Sequence, residues 1–102
     1  MLTDDNNDLF LSIASIWEMQ VKLQTGRLML RFPLSLLIDE QIKNAGLTIL
    51  SIEPQHVYHL QTLPNVHGDP FDRIMIAQAI VENLLFVSKD SVLGQYSVQQ
   101  VW

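Results

Sequence analysis

At 102 residues, 48% hydrophobic and 17% charged, the chain can build one core, which excludes disorder as a description of the whole. Eleven acids stand against six scattered bases, for a formal net charge of −5, so a broad phosphate-tracking surface is not expected unless metal ions or a partner supply positive charge. The absence of cysteine excludes disulfide scaffolds and thiolate metal sites, and no apolar run is long enough to span a bilayer.

The polar, acidic start MLTDDNND does not read as a secretory signal, and a single cytoplasmic domain over residues 1–102 is the expectation. Residues 1–8 read as a polar lead-in. Leu9–Ile13 reads as a buried strand. A helix follows, with Ser15 and Glu18 in the form of a capping box, and it stops near Thr25-Gly26, where Gly26 suits a left-handed cap. Residues 27–31 form a connector. Pro33 opens a second helix that ends at Asn44-Ala45-Gly46. Leu47–Ile52, rich in β-branched residues, is a second strand. Glu53-Pro54 opens a short helix that Leu63-Pro64 closes.

Residues 65–69 form a loop. Asp69 suits the N-cap and Pro70 the first turn of the most apolar helix of the chain, RIMIAQAIVENL. Apolar residues surround most of that helix, so a central position is expected. Leu84–Ser88 is a third strand, and a fourth is expected near Ser97–Val101. This alternation describes an α/β domain with a mostly parallel sheet.

Three acids occupy related places. Glu18 and Asp72 stand at helix starts, and Asp90 stands just past a strand end. In parallel α/β sheets those places gather on one edge, where ligands bind. Clustered carboxylates there suit Mg²⁺ or Mn²⁺, hard cations that take oxygen ligands. Each acid also has a structural reading: Glu18 completes a cap and pairs with Lys22, Asp72 complements a helix dipole, and Asp90 starts a turn. His56 and His59 are spaced for a metal but lack a third ligand, so capping or surface roles are favoured. Trp17 reads as a packing residue rather than a base-stacking platform. Asp4-Asp5 lack the preceding apolar strand of a phosphoacceptor domain.

Two stretches carry a resemblance. SIASIWEMQVKLQTGRL is similar to a segment of VapC-type PIN-domain proteins, with its Ser-x-Trp-Glu followed by Gly-Arg-Leu. HGDPFDRIMIAQAIVENLLFVSKD resembles their His-x-Asp-Pro-Phe-Asp-Arg helix and the Val-Ser-x-Asp strand end after it. The resemblance implies a PIN-like three-layer α/β/α fold and a Mg²⁺- or Mn²⁺-dependent ribonuclease of a toxin–antitoxin pair. RNA would be the substrate; a cognate antitoxin and a second copy of the chain would be partners. By motif, Glu18, Asp72 and Asp90 are the metal-binding acids, Asp69 caps the helix beside them, and Ser88 is the hydroxyl residue before the last acid.

The resemblance also implies a central strand ending in another acid ahead of residue 9. The chain starts after it, so an N-terminally truncated fold with exposed strand edges is expected. Asp4, Asp5 and Asp8, which precede the first strand, fall at the wrong edge to replace that acid. Two functions follow from this pattern: a ribonuclease impaired by the missing acid, or a non-catalytic PIN remnant acting as an interaction module.

Overall fold

The computed structural model describes residues 1–64, 69–86 and 99–100. Within them the chain runs β1 (Leu2–Thr3), β2 (Leu9–Ser12), α1 (Ile13–Gln24), β3 (Leu28–Met29), α2 (Leu34–Ala45), β4 (Thr48–Leu50), α3 (Pro54–His59), a 3-10 turn over Leu60–Thr62, α4 (Pro70–Glu82), β5 (Leu85–Phe86) and β6 (Gln99–Gln100). The main sheet has the order β4-β2-β1-β5. β2 and β4 are parallel, with Phe10 opposite Thr48 and Ser12 opposite Leu50. β1 is antiparallel to both its neighbours. Three strands therefore share one direction, and β1 runs against them. β3 and β6 form a separate antiparallel pair.

The N-terminal segment departs from its expected role. It is no lead-in: Met1 and Leu2 are buried. Leu2-Thr3 lies between β2 and β5, inside the main sheet. An exposed edge on β2 was expected there, but β2 has a partner on each side. The local cause is the turn between β1 and β2. The Asp4 carboxylate accepts the backbone N–H groups of Asn6 and Asp8, both at 3.0 Å. Asn7 takes the left-handed conformation at φ 63°, which asparagine tolerates better than most residues.

Alternation along β2 sorts its side chains between two layers. Leu9 and Leu11 join one cluster with Met1, Met19 of α1, Leu34 and Ile38 of α2, and Leu47. Ser12 points the other way and meets α4. A second cluster, Ala14 of α1 with Ile74 and Met75 of α4, is flanked by Ile52, Leu60 and Phe71. α4 is not wrapped by the core as its apolar sequence suggests. Ile74, Met75, Ala77, Gln78 and Ala79 are buried, while Ile80 and Val81 are exposed.

The start of α1 also differs from the capping-box expectation. Ser12, not Ser15, is the N-cap, and its hydroxyl accepts the Ala14 N–H at 3.0 Å. The strand ends three residues earlier than a Ser15 cap would need. Ser15 is consequently inside the helix, and Glu18 stands in its second turn rather than its first.

Candidate metal centre

α1 and α4 cross antiparallel in a regular register. The Ser12 hydroxyl donates to the Gln78 side-chain oxygen. One turn on, the Ser15 hydroxyl donates to the Met75 sulfur at 2.9 Å. One turn further, Glu18 meets Asp72. Each step of three residues forward on α1 matches three residues back on α4, the spacing at which side chains share a helix face. The lower rungs are buried: Ser12, Ser15, Met75 and Gln78 are each 5% exposed or less. Gln78 also donates to the Ser51 carbonyl at 3.1 Å, which ties α4 to the end of β4. The acids thus meet because two antiparallel helices lie in register.

Asp69 joins the same place through its capping role. Its Oδ1 accepts the N–H groups of Phe71 at 2.9 Å and Asp72 at 3.3 Å. Oδ2 takes no part in that cap. One carboxylate oxygen from each of Glu18, Asp69 and Asp72 lies within 4.8 Å of the others. Glu18 is 5% exposed, and Asp69 and Asp72 are half-buried. Among the described residues this is the one grouping of three metal-capable side chains.

The donor set fits a hard divalent cation. All three donors are carboxylates. Two oxygens on opposite sides of one Mg²⁺ stand about 4.2 Å apart, twice the usual metal–oxygen distance. Neighbouring oxygens stand about 3.0 Å apart on the same ion, so the three oxygens, now within 4.8 Å of one another, would draw closer on binding it. Carboxylates this close repel one another, and a bound cation relieves the repulsion.

Two of the three acids, Glu18 and Asp69, line a cleft of about 250 Å³ together with Val21, Lys22, Arg27, Pro70 and Phe71. Lys22 Nζ lies 3.9 Å from Glu18 Oε2, and its side chain is 11% exposed. An apolar cleft of about 280 Å³ adjoins it across Pro70 and Phe71, lined also by Trp17, Ile52, Val57 and Ile74. Trp17 packs edge-to-face on Phe71 with ring centroids 4.8 Å apart, yet it remains 58% exposed. It is therefore only partly a packing residue.

Of the acids singled out by sequence, Glu18 and Asp72 come together. Asp90, and Ser88 before it, lie outside the described residues. Asp69 was expected to cap the helix and to stand in the surroundings of the site rather than among the metal-binding acids, and its carboxylate joins the cluster itself. Arg27 was missed, because it reaches the cleft only through the turn at Gly26. His56 is not a metal ligand. Its Nδ1 accepts the Glu53 N–H at 2.9 Å and its Nε2 pairs with Glu82 at 2.7 Å. It completes the cap of α3, as expected, but is fully buried.

No curated protein and no solved structure matches this chain. One family does match. Its PIN domain description covers residues 2–98, a span that includes α1 with Glu18 and the start of α4 with Asp69 and Asp72, and on that extent the chain belongs to the PIN domain family.

Proposed function

We propose that the protein is a metal-dependent ribonuclease of the VapC type, hydrolysing phosphodiester bonds in RNA. PIN domains are generally nucleases. The observation that carries the finer reading is the convergence of Glu18, Asp69 and Asp72, two of which line a cleft. These three would hold Mg²⁺ or Mn²⁺, with Asp90 added by motif. The cation would acidify a bound water and offset charge on the phosphate. Glu18, buried on the rigid α1–α4 register, fixes one donor. Asp69 and Asp72 fix the others from a capped helix start. Such fixed placement matters, because a misplacement of about 1 Å can cost on the order of 100-fold in rate.

The same reading makes the chain a cytoplasmic toxin with an antitoxin and a second copy as partners. A second function, a non-catalytic PIN module that binds partners, draws support from exposed Trp17 and Val57 in the lining of the apolar cleft. One experiment separates the two. Purified protein is incubated with single-stranded RNA and Mn²⁺ or Mg²⁺, with EDTA and Asp72→Asn as controls. Metal-dependent cleavage lost in Asp72→Asn supports the ribonuclease. Equal residual cleavage with and without Asp72 would refute it and favour the binding module.

A further inference from the structure

The carboxylates create a difficulty for their own substrate, since three acids beside a phosphodiester repel it. The lining of the same cleft carries two cations, Lys22 and Arg27. Both are placed by the end of α1. Lys22 is one turn beyond Glu18, and its stem is largely buried, so the ammonium is held at the cleft rather than free in solvent. Arg27 follows a left-handed residue, Gly26 at φ 75°. Its N–H closes back on the Lys22 carbonyl at 2.8 Å, and the Gly26 N–H on Leu23 at 3.3 Å. This is the backbone geometry of a Schellman cap. It turns the chain so that Arg27 lines the cleft that Lys22 lines from within the helix.

We infer that Lys22 and Arg27 are the phosphate-gripping residues of this cleft, taking the non-bridging oxygens of an RNA phosphodiester that faces Glu18, Asp69 and Asp72. The inference rests on the ribonuclease reading above and adds the residues that recognise the substrate. The two cations differ in kind. Arg27 offers a planar fork of donors suited to two phosphate oxygens. Lys22 is a compact charge shared between Glu18 and the cleft. Because it stands beside Glu18, Lys22 also opposes the entry of a divalent cation. Its removal therefore has opposite effects on metal and on RNA.

The test uses the full chain and a short fluorescein-labelled single-stranded RNA, with Ca²⁺ present and the RNA checked for integrity on a gel. Lys22→Met and Arg27→Gln should each weaken RNA binding by about 5- to 10-fold and flatten its salt dependence by about 0.7 in log–log slope, one phosphate contact each. Lys22→Arg should restore most of the binding. Mn²⁺ affinity, measured by calorimetry, should be unchanged in Arg27→Gln and equal or tighter in Lys22→Met. Unchanged RNA affinity and slope in the folded variants would overturn the inference. So would a Lys22→Met protein that loses RNA and Mn²⁺ binding together, the signature of a merely structural lysine. If Lys22→Met does not fold, exposed Arg27 carries the test alone. Full Mn²⁺ binding by Asp72→Asn would instead sink the ribonuclease reading, and the inference with it.

Discussion

Asp69 serves two purposes with its two oxygens, and substitution can separate them. Oδ1 caps α4, while the carboxylate as a whole belongs to the acid cluster. Asparagine caps a helix about as well as aspartate but carries no charge. Asp69→Asn should therefore keep its stability in urea denaturation within a few tenths of a kcal/mol while Mn²⁺ affinity falls by about 10-fold. Asp69→Ala should lose the cap as well, at about 1 kcal/mol. Equal Mn²⁺ affinity in Asp69→Asn and the parent would remove Asp69 from the metal site. His56 illustrates the opposite case, a residue that suggests metal binding by type and serves only structure. Replacing it with leucine leaves the Glu53 N–H without its acceptor and cuts the link to Glu82. A loss of about 2 kcal/mol in urea denaturation is expected. At this scale the sequence was informative wherever one residue acts through its neighbours in the chain. Asp69 as N-cap and His56 as a capping residue were legible for that reason. Arg27 and the buried serines were not, since their roles depend on what lies across the fold.

The helices were legible because each carries its own punctuation. Pro33 and Gly46 bound α2, Asp69 and Asn83 bound α4, and the apolar spacing between them is local information. The strands β1 and β3 were not, whereas β6 falls within the strand expected near Ser97–Val101. β1 and β3 are each two residues long, too short for alternation to show, and each exists only by pairing with distant residues. The placement of Ser12 rather than Ser15 as the cap of α1 has the same origin: the pairing of Ser12 with Leu50 extends β2 to that residue. The α1–α4 register is the element-level feature with the clearest consequence for function. Gln78 is its fully buried rung, bonded to both Ser12 and Ser51. Gln78→Leu would leave a buried hydroxyl and a carbonyl without their partner, costing about 2 kcal/mol. It should also weaken Mn²⁺ binding, although residue 78 is two turns from Asp72, because the helices can then slide. A destabilised variant with unaltered Mn²⁺ affinity would show that the register does not hold the acids.

At the scale of the whole molecule two surplus features remain: exposed apolar surface and excess negative charge. Among the described residues Trp17 and Val57 are exposed and line the apolar cleft. A second copy covering them would fit the proposed dimer, and light scattering at low micromolar concentration should then report a species larger than the monomer. Trp17→Ala should shift that equilibrium toward monomer. The charge excess leads to a prediction that needs no substrate. With 11 acids against 6 bases, and three carboxylates drawn into one cleft, the folded state concentrates repulsion that the unfolded chain disperses. A divalent cation bound by that cluster favours the folded state alone. Linkage then gives about 2.7 kcal/mol at a free metal concentration 100 times the dissociation constant. For a domain of this size that raises the melting temperature by on the order of 10 °C. Thermal melts in Mn²⁺ should show the rise, and EDTA should reverse it. Asp72→Asn should remove most of it, whereas a substitution at exposed Asp5, in the β1–β2 turn, should not. A parent protein whose melting temperature is indifferent to Mn²⁺ would mean that the three carboxylates hold no cation in solution.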